Sequence, residues 1–387
     1  MTQSSAPHVL EEPRSRRSVG VVVLGMGRSG TSSVTRMFVK AGFFAGSSSE
    51  LMGATASNPT GHWENLTVWG ANEEILGKLS GSWFAPPAEL AQLDLRDWAE
   101  PLLLERLKRL IAQSPERPLA VKDPRIGVLM PLWSEIIGEY LHPVLVIRDP
   151  VEIALSLACR DGTPVPFALA AWELHMESVL RALGGRNVTV APYARLLEDA
   201  SLAASAVRAT AERLDPRLVG ELRFDRAGEA FEKRLRHNRV SGSQRREHLT
   251  APQAELWRLL ASLPPGSQRL EGPATQWVAS RAARSMVEHE SRRLVEHRRR
   301  THLATTLQSA RGQTAAAVSR LDEERVRAGL LREQLQAERE RRSHTDESLR
   351  QAERWLAAIE RSASWRLTQP LRRFKRLVKG RRPELVR

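Results

Sequence analysis

The sequence predicts an α/β fold in which a parallel sheet is sandwiched by helices and followed by a long C-terminal helical arm. Three observations carry that reading. A β-branched run, Val19 to Leu24, passes through a glycine-rich turn into an apolar-periodic helix with Gly42 just past its end. Short apolar strands then alternate with helices, the pattern of a parallel sheet covered on both faces. From about Trp277 to Glu360 the chain contains no proline and is dense in Arg, Glu, Gln and Ala.

The first of these is the organising stretch, Val19-Gly-Val-Val-Val-Leu-Gly-Met-Gly-Arg-Ser-Gly-Thr-Ser-Ser33. A strand, a tight turn and a helix N-terminus together make an anion site, because unpaired backbone N–H groups and the positive end of the helix dipole converge there. The loop is P-loop-like, with Gly25 and Gly30 at nucleotide-triphosphatase spacing, but Thr31 stands where that motif needs lysine. The cation sits inside the loop instead, at Arg28. Gly27, Arg28, Ser29, Gly30, Thr31, Ser32 and Ser33 are therefore the candidate phosphate cradle.

The later elements are read in order. Asn58 to Asn65 is a turn-rich loop. It opens a helix capped by Asn65, with Leu66, Trp69, Ile75, Leu76 and Leu79 as its expected core face. A helix runs from about Trp98 to Gln113. Leu119–Lys122 is a strand, Ile126–Ile137 a helix, Pro143–Arg148 a strand and Val151–Arg160 a helix. Phe167–Leu183 is a helix and Asn187–Ala191 a strand, and residues 201–276 read as helical and irregular. Ligands of such sheets lie at the carboxyl ends of the strands, where the noteworthy residues fall.

The Arg-Ser-Gly-Thr-Ser loop at 28–32 resembles the 5′-phosphosulfate loop of the sulfotransferases, whose donor is 3′-phosphoadenosine 5′-phosphosulfate (PAPS). Downstream, Val144-Leu-Val-Ile-Arg-Asp-Pro-Val-Glu-Ile-Ala-Leu-Ser156 reads as strand, turn and helix, with Arg148 and Ser156 eight apart. Guanidinium and hydroxyl at that spacing suit a terminal phosphate monoester. The segment is similar to the family's 3′-phosphate-binding segment. Val121-Lys-Asp-Pro-Arg125 resembles a Lys-Asp-Pro of protein-tyrosine and bacterial carbohydrate sulfotransferases, which implies that Lys122 offsets charge on the bridging oxygen as sulfuryl leaves. Glu64 is the base the resemblance implies, with His62 as its rival. Cytosolic members carry a histidine just after the lysine, and here Asp123-Pro124 occupies that place. The resemblance covers about residues 19–240, with no role assigned to Leu235-Arg-His-Asn-Arg239.

Composition narrows the setting. The chain has 387 residues, and Cys159 is its only cysteine, which excludes a disulfide framework and a cysteine metal cluster. The histidines lack H-E-x-x-H spacing, so no metal is expected. No run approaches the ~20 apolar residues of a membrane span. No export signal is read in the polar residues 1–18, expected to be disordered, so a cytoplasmic location is expected. Of the net charge of +14, +9 lies in residues 361–387, leaving +5 for the rest.

The arm and the tail complete the expected order: an α/β domain over 19–276, an arm over 277–360 and a basic amphipathic tail over 361–387. Leu307, Thr314, Leu321, Ala328, Leu335, Arg342, Leu349 and Leu356 recur every seven residues. Leu303, Ala310, Ala317, Leu331, Ala352 and Ile359 lie on the neighbouring seam, and Glu324, Glu338 and Arg342 interrupt the pattern. A coiled coil joining a homo-oligomer is expected. The tail opens with Ser362-Ala-Ser-Trp-Arg-Leu-Thr-Gln-Pro-Leu-Arg372, similar to a segment of bacterial surface-polysaccharide glycosyltransferases. Its apolar residues, Trp365, Leu371, Phe374 and Leu377 among them, alternate with arginines. That pattern points to an anionic membrane surface, the inner face of the cell membrane, rather than to nucleic acid. The expected activity is sulfuryl transfer from PAPS to a hydroxyl of a carbohydrate or glycolipid, in bacterial surface-glycan synthesis. The alternatives are a kinase-like phosphotransferase and a non-enzymatic coiled-coil scaffold at the membrane surface.

Overall fold

In a computed structural model, residues 19–55, 58–79, 81–84, 96–114, 116–233, 236, 238–368 and 370–371 are described. The expectations for residues 1–18, for His237 and for most of the basic tail, including Phe374 and Leu377, lie outside them. In chain order the elements are β1 (Gly20–Leu24), α1 (Thr31–Ala41), α2 (Leu66–Lys78), α3 (Arg96–Gln113), β2 (Leu119–Lys122), α4 (Met130–Ile136) and β3 (Leu141–Ile147). Next come α5 (Pro150–Asp161), α6 (Val165–Leu183), β4 (Asn187–Pro192), α7 (Tyr193–Glu198) and α8 (Ala200–Leu214). The last are α9 (Gly242–His248), α10 (Ala251–Ala261), β5 (Gly266–Arg269), α11 (Arg281–Arg361) and α12 (Ala363–Leu367).

The sheet has the order β2-β1-β3-β4-β5. Its first four strands are parallel and β5 runs antiparallel to β4. Side chains of β1 alternate between two cores, as strand geometry requires. Val21 and Val23 pack with α1 and α8 on one face, while Val22 and Leu24 join a larger cluster with α2 to α6 on the other. Burial on both faces explains why β1 reads as continuously apolar. At Gly20 a Cβ would lie 2.3 Å from the Leu119 carbonyl oxygen, so the β1–β2 approach requires glycine there.

Several expected boundaries shift, each for a local reason. The helix expected over Ile126–Ile137 is a 3₁₀ turn, Pro124–Gly127, followed by α4, with a proline near the start of each. Strand β3 starts at Leu141 and ends before Arg148, with Pro143 paired to β1 while the β4 ladder begins at Val144. Residues 201–276 contain the edge strand β5, whose Gly-Ser-Gln-Arg sequence has no apolar alternation to announce it. In α2 the buried face is Val68, Ala71, Asn72, Ile75 and Leu76, whereas Leu66 is exposed and Trp69 is half-buried. Asn72 turns inward because its carbonyl accepts from the Trp133 indole at 3.0 Å.

The chain divides into two compact units, residues 1–298 and 299–387. In the first, the root of α11 is tied to the core: Ser280 N–H donates to Glu173 Oε1 at 2.6 Å and Arg284 donates to Glu177 at 2.6 Å. Ala283 and Val287 are buried there. In the second, the arm is a single helix, and every side chain from 303 to 356 is exposed, the heptad seams included.

Two histidines in the first unit are buried as neutral rings. His142 shares a hydrogen bond with Thr189 Oγ1 at 3.0 Å, and burial, aided by Arg213, pushes it down to about 4. Burial alone pushes His175 to about 4, and neither of its ring nitrogens has a hydrogen-bond partner. A histidine with a depressed folded pKa stabilises the fold fully above its unfolded value of about 6.5 and loses that stability as pH falls toward 4. Each should cost at most about 3 kcal/mol over that interval. Thermal melts should therefore show a falling midpoint from pH 7 to pH 4. His175→Leu, which removes two unpartnered nitrogens, should flatten that fall while holding or raising the midpoint at pH 7. An unchanged slope in the variant would remove His175 from the acid response.

Candidate active site

Parallel strands deliver their carboxyl ends to one edge of the sheet, and the site is assembled from the residues just beyond those ends. After β1 comes the loop Gly25–Gly30, after β2 Pro124, after β3 Arg148, and after β4 Tyr193. Together with the Asn58–Glu64 loop and α5 they line a cleft of about 700 Å³, within the ~300–1,000 Å³ of small-molecule sites.

The loop is held open by backbone geometry. Gly30 caps α1 at φ 96°, and a Cβ there would meet the Tyr193 ring at 2.2 Å. Arg28 adopts φ 73°, a left-handed conformation that an arginine takes only when its surroundings enforce it. They do: its carbonyl accepts from Arg148 Nη1 at 2.9 Å and its own Nε donates to Ser156 Oγ at 2.9 Å. The first intrahelical bond runs from Val34 N–H to Gly30, which leaves the N–H groups of Thr31, Ser32 and Ser33 without helical acceptors. Gly27, Arg28, Gly30, Thr31, Ser32 and Ser33 line the cleft. Ser29 does not; its hydroxyl is buried without a partner beside Gly25.

Arg148 and Ser156 both reach the cleft, but not as a mutual pair. Arg148 Nε donates to Glu152 at 3.0 Å and its guanidinium lies 5.0 Å from the Tyr193 ring, while Ser156 is bound by Arg28. Glu152 is buried and also accepts from Arg236 at 2.6 Å. Burial, followed by the charges of Arg160 and Arg148, pushes the Arg28 guanidinium below its ordinary value. The cleft is thus cationic.

Next to the phosphate loop, at Ser32, Lys122 and Glu64 are brought into direct contact. Lys122 Nζ lies 2.5 Å from Glu64 Oε1, 3.2 Å from the His62 carbonyl and 3.5 Å from Ser32 Oγ, and both side chains are buried. Glu64 Oε2 is 3.9 Å from Arg125, which also bonds Asp123 and Glu73 and lies over the Trp69 ring. Burial pushes the Asp123 carboxyl up against the pull of Arg125. Trp63, at φ 57°, positions Glu64, its indole donating to the Thr60 carbonyl at 2.9 Å. His62 sits at the same wall, its Nε2 3.0 Å from Thr55 Oγ1. Burial, with Lys122, Arg28 and Arg160, pushes that ring down, against the opposing charge of Glu64.

Arg160, Tyr193, Asn58, Thr60 and Asn238 also line the cleft and were not expected there. Arg160 lies one helical turn beyond Ser156, a spacing that could have exposed it. Tyr193 directly follows a strand carboxyl end, where ligands of parallel sheets gather. Arg236 and Asn238, in the basic segment without an assigned role, anchor to Glu152 and line the cleft, respectively.

A search of family models and of curated proteins finds no match. Among solved structures the chain is similar to the sulfotransferase domain from the Synechococcus PCC 7002 olefin synthase. That match has 19% identity and a TM-score of 0.35, and covers 66% of this chain and 99% of that one. It is also similar to the sulfotransferase domain from the curacin biosynthetic pathway, at 14% identity and TM-score 0.33, over 71% of this chain and 98% of that one.

A buried ion pair punishes the loss of one partner more than the loss of both. Lys122→Ala should destabilise the protein by about 3–5 kcal/mol in urea unfolding, because it strands the Glu64 carboxylate. Lys122→Met combined with Glu64→Gln should recover most of that loss. Equal stability of the single and double variants would show that the pair is not coupled.

Proposed function

We propose that the protein is a PAPS-dependent sulfotransferase acting on a hydroxyl of a carbohydrate or glycolipid. The observation that carries this reading is one cleft holding both a lysine-free phosphate loop and a buried Lys122–Glu64 pair. A nucleotide kinase would need the missing Walker lysine.

The residues fit the donor. It carries anionic groups at two ends, and the cleft offers Arg28 with the open amides of Thr31 to Ser33, and Arg148 with Ser156. When bound, PAPS supplies a sulfuryl group activated by a phosphate leaving group. The α1 N-terminus and Arg28 hold the 5′ end, and Arg148 and Ser156 the 3′-phosphate. Lys122, moving its ammonium from Glu64 toward the bridging oxygen, offsets the charge that develops there. That movement frees Glu64 Oε1 to take the acceptor's hydroxyl proton as its oxygen bonds to sulfur. A cationic wall also suits an acceptor that stays neutral until that step. The similarity of residues 362–372 to bacterial polysaccharide glycosyltransferases supports a glycan acceptor. The charge of +9 in residues 361–387 supports attachment to an anionic inner-membrane surface from the cytoplasm. No helix among the described residues is long and apolar enough to cross a membrane.

Arg28→Ala and Arg148→Ala should each weaken binding of 3′-phosphoadenosine 5′-phosphate by about 2–4 kcal/mol in calorimetry, each removing a charge-assisted partner. Glu64→Gln should lower transfer of labelled sulfate about 100-fold or more while leaving that affinity close to wild type. Normal turnover in Glu64→Gln with collapse in His62→Gln would hand the base role to His62. Unchanged affinity in both arginine variants would sink the donor assignment.

The tail generates a separate expectation. Full-length protein should co-sediment with anionic vesicles and release in high salt, since each basic residue near the surface contributes about 1 kcal/mol that salt screens. A chain ending at Glu360 that bound vesicles equally well would rule the tail out as the anchor, and a preference for duplex DNA at equal salt would redirect it to nucleic acid.

A further inference from the structure

The exposed stripe on α11 has no counterpart within its own unit. Leu331, Leu335, Leu349 and Leu356 are 53–59% exposed, on the two seams of a heptad pattern. A helix of this length gains its stability from packing an apolar face, and among the described residues of its own unit nothing covers this one. The flanking row one position after the Leu331 seam says what does. It reads Arg325, Arg332 and Arg339, then Asp346, Glu353 and Glu360, with cations in its first half and anions in its second.

We propose that α11 pairs with the same segment of a second copy of this chain as a two-fold antiparallel coiled coil centred between Ser343 and His344. Reversing one helix sets this row against itself. Arg325 then comes beside the second copy's Glu360, Arg332 beside Glu353 and Arg339 beside Asp346, each offset by about 3 Å along the axis, within reach of these long side chains, and the two-fold axis makes each pair twice. The same register places Leu331 against Leu356, Leu335 against Ala352 and Ala328 against Ile359. The seam defects are tolerated as well: Glu338 faces Leu349, Arg342 faces Thr345, and the two charged residues keep each other as an i,i+4 pair at 3.5 Å.

A parallel, in-register pair keeps only one flanking contact between opposite charges, Arg341 with Asp346. It stacks Arg342 on Arg342 and Glu338 on Glu338 in the seam. Along its flanks it faces Arg320 with Arg325 and Arg327 with Arg332, both like-charged. The charge order therefore specifies orientation as well as partner. The overlap, residues 325–360, is roughly 50 Å long at about 1.5 Å per residue.

Sedimentation of the full chain should show a concentration-dependent dimer. Arg332→Glu should raise its dissociation constant about tenfold, since one substitution turns two attractive pairs repulsive. Arg332→Glu combined with Glu353→Arg should restore it. Parallel pairing gives the opposite sign, because Arg332→Glu would then relieve the contact with Arg327. In a Cys159→Ala chain, Leu331→Cys and Leu356→Cys mixed together should oxidise to a cross-link with each other and not with themselves. A chain that stays monomeric at every concentration, an Arg332→Glu dimer that holds or tightens, or a Leu331→Cys chain that cross-links to itself would each overturn the proposal. The cross-linking arm decides even where a charge reversal perturbs the helix.

Discussion

The cleft depends on keeping several guanidinium groups together at one edge of a sheet. Arg160 and Arg148 both repel Arg28, whose burial removes the water that would screen it. They are held by being partnered within the protein: Arg28 on Ser156, Arg148 on the Arg28 carbonyl and on Glu152. Glu152 is the keystone of this wall, because the same buried carboxylate also accepts from Arg236. A loop far along the chain is thereby fastened to the carboxyl end of β3, next to Asn238 in the cleft lining. An incoming anion would exchange partners with charges already in place, so little reorganisation is left for binding.

The second wall is built differently. Lys122 and Glu64 are desolvated together, a costly arrangement that persists only with good geometry and further partners. Stiff backbone supplies the geometry: a strand end at Lys122, a proline-started 3₁₀ turn at Pro124, and a left-handed Trp63 beside Glu64. Residues in sparsely populated conformations flank both walls, at Arg28 and Trp63, and strain of this kind concentrates where a side chain must be aimed.

The features legible in the sequence were local. The glycine turn at 25–30, the parallel strands and the Asn65 cap are encoded within a few neighbouring residues, so pattern alone locates them. Lys122 and Glu64 were legible as separate candidates, although their contact was not. Contacts set by reach across elements were also hidden. The Arg28–Ser156 bond joins positions 128 apart, and nothing in spacing distinguishes Arg28 from Arg148 as the partner of that hydroxyl. The α2 face was misread because a polar residue, Asn72, is buried to satisfy an indole, a choice that apolar periodicity cannot register. Strand β5 was missed because an edge strand of Gly-Ser-Gln-Arg has no hydrophobic face to repeat. The break between the units falls later than the change in composition at Trp277, since Ser280 and Arg284 are claimed by carboxylates on α6.

The position of Cys159 has a practical consequence. It is the single cysteine of the chain, it is exposed, and it lines the cleft between Ser156 and Arg160 on α5. A thiol-directed fluorophore or nitroxide would attach at one site without any engineering, beside the groups on which the anionic donor is proposed to dock. The molecule thus carries its own spectroscopic reporter, placed where occupancy of the cleft changes the polarity and mobility that such a label senses.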